Sequence, residues 1–363
     1  MNVSLEDYLK IVTPHLDPEL VSSQALAQIQ ALAQRLPISS ANLLECRLNG
    51  NEPDVDFHAS FTHFPPELSD RFLPNLAWQA CQTFAQKWMD SASSLHQSIN
   101  NLILEFDLPE QPTDQQFIEA ISPSPYIMFK PETTINLQEL IEHSLRLFQY
   151  PLNSQLTAKL KHCLSSLPDG AKLANIGVWL ARPNQGLRLT IKEILFEQLP
   201  IYLEQIGWED PTHALALYSS TLSPFVDTLA LAIDIDQTVH PRIGLECFVT
   251  KQFHDQSRWQ QFIDHLVHAD LCTPGKRNAL LDWSGFTQRS DCPELWPANL
   301  TYGDILMGSN AVSFFWRRIN HIKIVYQPGQ PLSAKAYLAF GHSWMSADNV
   351  VFQEKPSRPS VAC

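Results

Sequence analysis

The chain has 363 residues, of which 25 are Lys or Arg and 38 are Asp or Glu, giving a formal net charge of −13. Because binding to nucleic acids or to anionic membranes needs basic surfaces, this acidic balance disfavours both as partners. Only 17% of the residues are charged and 44% are hydrophobic, a composition typical of a folded chain with a sizeable buried core.

The first predicted elements are a helix, a hairpin and a second helix. Apolar residues recur at helical spacing over residues 18–35, which predicts an amphipathic helix. Residues 43–48 and 55–61 are strand-like and are separated by the turn sequence Asn49-Gly50-Asn51, which predicts a β-hairpin. A second helix is predicted over about residues 67–90.

The same pattern of hairpin and helices recurs along the rest of the chain. The further hairpins pair residues 102–108 with 126–130, 176–182 with 187–194, 229–236 with 242–249, and 319–326 with 334–342. The segments between them are predicted as helices over about residues 136–166, 197–226 and 256–284, and as a Pro- and Gly-rich connection over 285–311. Five diverged αββ units at intervals of roughly 50–90 residues indicate a repeat architecture.

Nearly every predicted strand has one apolar face and one polar or charged face. Leu102, Leu104 and Phe106 share one face of their strand, whereas Glu105 and Asp107 share the other. Helices must cover the apolar faces, and closing ten antiparallel strands removes exposed edges, so we predict an α+β barrel inside a ring of helices. Ten strands leave a lumen wider than that of eight. An open antiparallel sheet with water on one face would give the same alternation.

Domain organisation and compartment follow from simpler features. We expect a single domain over residues 1–352, a disordered Pro-rich tail over 353–363, and a monomer. No run of about 18 apolar residues is present and residues 1–7 do not look like a signal peptide, so neither a membrane span nor secretion is expected. The seven cysteines are dispersed without a CxxC pair, which predicts reduced thiols in the cytoplasm and no structural zinc.

Five αββ units that form a ten-stranded antiparallel barrel inside a helical ring resemble the ABBA prenyltransferases, whose fold is called the PT-barrel. The resemblance covers nearly the whole chain in element order. In that family a general base lies on the second strand of the first hairpin, after a Gly/Pro turn, and residues 50–58 (GNEPDVDFH) look like that stretch. Asp56 then occupies the base position, where the family more usually has Glu.

The resemblance implies transfer of a dimethylallyl or longer isoprenoid group from its diphosphate to an aromatic or peptide acceptor. Such chemistry needs cations for the diphosphate, aromatic faces for the allylic cation, and a carboxylate for the acceptor's proton. The candidates for the diphosphate are Lys130, Arg188, Lys192, Arg242, Lys323, Lys335 and Tyr337. Trp179 and Tyr126 are the candidates for shielding the cation. Asp56 is the first candidate for the base, followed by Glu45 and Glu105.

No cofactor and no protein-bound metal are required by this interpretation. Asp234 and Asp236 leave open a role for Mg²⁺ that binds together with the diphosphate.

Two other functions are compatible with the same residues. Inward bases can pair with inward acids in structural ion pairs, which would give a non-catalytic barrel that binds a small molecule or a peptide. The third is an unrelated natural-product tailoring transferase, such as an acyltransferase, on an open α+β sheet. Pairing between the first strand and the last would separate the barrel from the open sheet.

Overall fold

The computed structural model describes residues 4–64, 75–108, 121–131, 136–182, 186–210, 214–250 and 256–346. Within these ranges the strands are β1 (Ala41–Arg47), β2 (Val55–Phe61), β3 (Ile99–Phe106), β4 (Ser124–Phe129), β5 (Lys172–Val178), β6 (Leu187–Lys192), β7 (Thr228–Ile235), β8 (Val239–Phe248), β9 (Gly285–Gln288), β10 (Ala311–Tyr326) and β11 (Ser333–Ser346). The α-helices are α1 (Leu5–Val12), α2 (Ser23–Ala33), α3 (Leu76–Met89), α4 (Ser94–Ser98), α5 (Leu137–Leu147), α6 (Ser154–Ser165), α7 (Leu199–Gln205), α8 (Ala214–Leu222), α9 (Ser257–His268), α10 (Pro274–Trp283) and α11 (Ala298–Met307). The predicted tail over 353–363 lies outside the described residues.

Ten of the strands form one closed antiparallel barrel. Strands β1 to β8 pair in chain order, β8 pairs with β10, and β11 closes the ring by pairing with both β10 and β1. Glu45 of β1 therefore lies opposite Tyr337 of β11 on one side and Asp56 of β2 on the other. The predicted barrel is confirmed, and the open-sheet alternative is wrong because the first strand pairs with the last.

Capping side chains mark where several of the surrounding helices begin. The side-chain oxygens of Ser22, Asn75, Asn153 and Thr273 accept hydrogen bonds from backbone N–H groups in the first turns of α2, α3, α6 and α10. These residues satisfy donors that a helix start leaves free. Within the described ranges, none of the helices is both long and apolar enough to cross a membrane.

The hydrophobic core lies between the barrel and the helices, and the lumen is packed differently. Leu102 and Leu104 point outward from β3 and are fully buried. Ile103 points inward, opposite Tyr126 of β4, and both of these side chains are only half-buried. Because an inward side chain in a filled barrel would be fully buried, the partial exposure of apolar residues on this face indicates open space in the lumen.

A pair of neighbouring substitutions tests this contrast. We expect Leu104→Ala to lower the free energy of unfolding by about 2–5 kcal/mol, because it leaves a cavity in a packed core. Ile103→Ala should cost less than half as much, because Ile103 already borders open space. Urea unfolding monitored by tryptophan fluorescence measures both values. Equal losses at the two positions would show that the lumen is packed as tightly as the outer core.

The predicted irregular connection over residues 285–311 is wrong in part, since it contains β9 and α11. β9 pairs with residues 314–317 of β10, beyond the part of β10 that pairs with β8. Gly303 allows α11 to approach β11 closely, because a Cβ at that position would lie 2.6 Å from the Trp344 ring. Helix α1 was also not predicted.

Candidate active site

Most of the charged lumen residues gather at the end of the barrel where the five hairpins turn, here called the turn end. β1, β3, β5, β7 and β10 finish at this end, and their hairpin partners start there. Alternation along each strand places every second side chain in the lumen. The turn end therefore holds carboxylates and cations from many strands within one ring.

Glu45 is the most heavily bonded carboxylate of the lumen. It accepts hydrogen bonds from Lys335 Nζ and, at 2.5 Å, from Tyr337 Oη. Burial opposes its charge, but Lys335 and His58 outweigh burial and hold the pKa of Glu45 well below its ordinary value. Glu45 is therefore an ionised anchor for neighbouring side chains rather than a good proton acceptor.

His58 lies between two carboxylates and was missed as a site residue. Its Nε2 is 3.5 Å from Glu45 Oε2, and its Nδ1 is 4.0 Å from Glu105 Oε2. Burial alone would lower the pKa of His58, but the charges of Glu45 and Glu105 raise it. The sequence did contain a sign that His58 belongs to the site. His58 follows Asp56 by two residues, which puts both side chains on the same face of β2.

The same three residues form a potential cation site. Among the described residues, Glu45, His58 and Glu105 are the one set of His, Cys, Asp or Glu side chains whose donor atoms all lie within 4.8 Å of one another. Glu45 already accepts a hydrogen bond from Lys335, and Glu105 accepts one from Arg182 at 2.8 Å. This arrangement favours a protonated imidazole between the carboxylates over a metal ion.

Asp56, the first candidate for the base, is buried at the turn end. Its Oδ1 accepts a hydrogen bond from the Leu108 backbone N–H at 3.1 Å, and its Oδ2 lies 3.6 Å from the Arg47 guanidinium. Burial and the nearby charge of Glu45 raise the pKa of Asp56. A raised pKa brings a carboxylate closer to the range in which it can take up a proton during catalysis.

Arg188 and Asp234 form a bidentate ion pair on β6 and β7. Arg188 Nε and Nη2 donate to Asp234 at 2.9 and 2.7 Å, and Trp179 Nε1 donates to the same carboxylate at 3.3 Å. The guanidiniums of Arg182 and Arg188 lie 4.4 and 4.6 Å from the centre of the Trp179 ring. Tyr126 packs edge-on against Trp179 at 5.8 Å. The two predicted cation-shielding residues are thus in contact, and Trp179 already binds protein cations.

Lys323 and Lys335 lie opposite each other on β10 and β11. Lys323 Nζ donates to Glu246 Oε1 at 3.1 Å, and its side chain lies across Gly244, where a Cβ would be 2.2 Å from Lys323 Cε. Arg242 is exposed at the turn end and forms no ion pair with any described residue. Burial and the charge of Arg188 lower the pKa of Arg242. Arg188, Arg242, Lys323, Lys335 and Tyr337 thus share one end of the barrel.

Two of the predicted diphosphate-binding residues lie elsewhere. Lys130 follows β4 at the opposite end of the barrel, and its Nζ donates to the backbone carbonyl of His96 at 3.0 Å. Lys192 ends β6 at that same end, where its Nζ is 3.9 Å from Glu193 Oε1. Asp236 follows the end of β7 at Ile235, and its half-exposed side chain lies in the turn, 3.1 Å from His240. Asp234 and Asp236 therefore do not converge on a common ion.

The raised pKa of His58 leads to a pH-dependent contribution to stability. Its folded-state pKa exceeds the ordinary value of 6.5, so the stabilisation is fully present below pH 6.5 and is lost as the pH rises through the folded value. We expect the difference in unfolding free energy between wild type and His58→Gln to be larger at pH 6 than at pH 9. Denaturant titrations at several pH values measure it. A difference that stays constant with pH would show that the pKa of His58 is the same in the folded and unfolded states, and a difference that is smaller at pH 6 than at pH 9 would show that folding keeps His58 neutral.

Comparisons with known proteins come from structure rather than sequence. No protein-family model matches the chain, and no curated protein matches its sequence. The crystal structure of AnaPT from Neosartorya fischeri is 11% identical, with a TM-score of 0.51 over 94% of this chain and 91% of that chain. The apo form of prenyltransferase PriB is 13% identical, with a TM-score of 0.46 over 98% and 97% of the two chains. The 5-dimethylallyltryptophan synthase from Streptomyces coelicolor is 12% identical, with a TM-score of 0.41 over 92% and 90%. At such identities the likeness to AnaPT establishes a shared fold, and the chemistry must be argued from the lumen itself.

Proposed function

We propose that this chain, which has the PT-barrel fold, is a prenyltransferase that moves a dimethylallyl or longer isoprenoid group from its diphosphate to an aromatic or peptide acceptor. The observation that carries the proposal is a closed barrel whose lumen combines cations at the turn end with half-buried apolar side chains further in. An isoprenoid diphosphate has the same two-part chemistry, with an anionic head and an apolar tail.

Four cations and one hydroxyl would hold the diphosphate. Arg188, Lys323 and Lys335 point into the lumen at the turn end, Tyr337 Oη lies beside Lys335, and Arg242 stands at the entrance. Positive charges fixed around a leaving group stabilise the negative charge that develops there. Of these four cations, Arg242 is the one that forms no ion pair with a described residue, so a diphosphate would bind to it without first displacing a carboxylate.

The apolar lumen wall would hold the isoprenoid and exclude water from it. Leu43, Ile103 and Met128 face this space and are half-buried. Tyr126, packed edge-on against Trp179, presents an aromatic ring to the same lumen, where it would stabilise an allylic cation.

The transfer balances without a redox partner. The bond between C1 of the isoprenoid and the diphosphate oxygen breaks, and a bond forms between C1 and an atom of the acceptor. The proton lost from that acceptor atom passes to the Asp56 carboxylate, and diphosphate leaves with both electrons of the broken bond. Glu45 and Glu105 act as positioning residues, because they hold Lys335, Tyr337 and Arg182 in place.

One observation favours a second candidate, the non-catalytic binding barrel. Arg188, Lys323 and Lys335 each already bond to a carboxylate, so an arriving anion must compete with Asp234, Glu246 and Glu45. Breaking a buried ion pair is costly. A barrel of this kind could bind a neutral small molecule or a peptide without any reaction.

The test is turnover by the purified chain. The protein is incubated with dimethylallyl diphosphate and with indole, tyrosine or a tyrosine-containing peptide, with and without EDTA. We expect pyrophosphate release and a product heavier by one dimethylallyl group, both unaffected by EDTA because the protein supplies the cations. Tight binding of an acceptor without any pyrophosphate release would favour the binding barrel instead.

A further inference from the structure

Polar atoms without hydrogen-bond partners are concentrated in the lumen. Among the described residues, seven buried side-chain nitrogen or oxygen atoms lack a partner. Four of them belong to strand residues whose register faces the lumen: Ser124 Oγ, Asn175 Oδ1, His321 Nε2 and His58 Nε2, of which His58 Nε2 still has the 3.5 Å ion-pair contact with Glu45. Leaving a buried polar atom unpaired is unfavourable, because the atom loses its hydrogen bonds to water and gains none in the protein. A ligand with polar groups that binds in the lumen would supply partners for these atoms.

His321 is held firmly in this lumen. Its ring stacks on Tyr337 at a centroid distance of 4.1 Å and an interplanar angle of 19°, and Phe248 packs 4.9 Å away. The Nδ1 atom lies 3.4 Å from Asn320 Oδ1. With the Asn320 amide in this orientation its oxygen can only accept, so the contact favours the tautomer with the proton on Nδ1 and the lone pair on Nε2.

The protonation state of His321 agrees with this assignment. Burial is the main reason that the pKa of His321 is lowered to about 4. The positive charges of Lys323 and His58 act in the same direction, and the negative charges of Glu246 and Glu45 oppose them. The ring is therefore neutral near pH 7. Its Nε2 is a buried hydrogen-bond acceptor without a partner, on a residue whose register faces the lumen, two residues along β10 from Lys323.

The chemistry of the two substrates decides which of them can pair with this atom. A diphosphate carries anionic oxygens, which a nitrogen lone pair repels, and an isoprenoid chain has no N–H or O–H. The acceptor is the remaining substrate. We propose that His321 Nε2 accepts a hydrogen bond from an N–H or O–H of the acceptor, so that the chain selects flat aromatic acceptors that carry such a donor. The inference rests on the proposed function, since it assigns a specificity-determining residue to the same site.

The test compares ligands of the same shape that differ in the donor. Equilibrium dialysis without any diphosphate measures the affinity of the chain for indole against benzofuran, and for 2-naphthol against 2-fluoronaphthalene. We expect wild type to bind the donor-bearing member of each pair at least tenfold more tightly, since the other member leaves the buried Nε2 without a hydrogen-bond partner. His321→Leu should bind both members equally. His321→Gln, which keeps an acceptor oxygen, should retain part of the preference.

His342 supplies a matched control. Burial lowers its pKa to about 4 as well, but it contacts Tyr8 of α1 and bonds to Ser313 Oγ at 2.7 Å, outside the lumen. His342→Leu should keep the preference of wild type. Nitrogen NMR of histidine-labelled wild type provides a measurement without a variant, because indole and not benzofuran should shift the His321 Nε2 resonance.

Two outcomes overturn the inference: equal affinities for both members of each pair in wild type, or a preference that survives in His321→Leu. Failure of the proposed function would look different. A chain that shows the donor preference and its loss in His321→Leu, yet releases no pyrophosphate, would have the acceptor site without prenyl transfer.

Discussion

Replacing Asp56 by asparagine is expected to lower the rate of prenyl transfer by about 10²–10⁴-fold, the usual contribution of a positioned general base. Asparagine has nearly the same shape and keeps an oxygen that can accept the hydrogen bond from the Leu108 backbone N–H. It cannot take up a proton. Because burial raises the pKa of Asp56, the fold already disfavours its charged form, so the neutral amide should not destabilise the protein. Binding of dimethylallyl diphosphate should therefore persist while turnover falls.

Asp54→Asn is the matched control for Asp56→Asn. Asp54 lies 3.7 Å from the same Arg47 guanidinium, but its side chain is 43% exposed. Turnover should be unchanged in this variant. Full turnover in Asp56→Asn would exclude Asp56 as the proton acceptor. Under the binding-barrel alternative neither substitution should alter the behaviour of the protein.

Arg188→Leu is expected to lower the free energy of unfolding by about 3–5 kcal/mol, because it leaves the buried carboxylate of Asp234 without its main partner. The wild-type pair is bidentate, and Asp234 is only 8% exposed. Burial opposes the negative charge of Asp234, but the positive charge of Arg188 outweighs burial and lowers the pKa of that carboxylate. Removing Arg188 removes this compensation while burial remains.

Two further variants separate this effect from a general loss of packing. Arg188→Leu combined with Asp234→Leu should recover most of the lost stability, since a hydrophobic pair needs no compensation. Lys172→Met breaks the exposed pair with Glu193 and should cost about 0–1 kcal/mol. Guanidinium unfolding curves give all three values. A double variant as unstable as Arg188→Leu would show that the loss comes from packing of the arginine stem.

Strand alternation carried most of the fold prediction, and its failures have identifiable causes. Predicted and observed strands agree closely where apolar and polar residues alternate without interruption, as in β2 and β7. β10 was predicted to begin at residue 319 but begins at Ala311. The register of β10 shifts between Ile319 and His321, and such a bulge exchanges the inner and outer faces of the strand. The alternation in the sequence breaks at the same place.

Alternation also explains which site residues could be predicted. It identifies the face of a strand that a side chain occupies, so Glu45, Glu105, Arg188 and Lys335 were placed on the lumen face correctly. Alternation does not give the position of a side chain along the barrel axis. For this reason Lys130 and Lys192 were grouped with the residues of the turn end, although they lie at the other end of the barrel. Arg182 follows β5 in a turn, where period-two reasoning does not apply. Partnerships across the lumen depend on strand register, which a single sequence does not reveal.

The most direct test of the account is a crystal structure of the chain with dimethylallyl thiolodiphosphate, an analogue that reacts slowly. We expect the thiolodiphosphate at the turn end, in contact with Arg188, Arg242, Lys323 and Lys335, and the dimethylallyl group beside Ile103 and Met128. A lumen that stays without the analogue at saturating concentration, or an analogue bound with its diphosphate at the Lys130 end of the barrel, would contradict the proposed site.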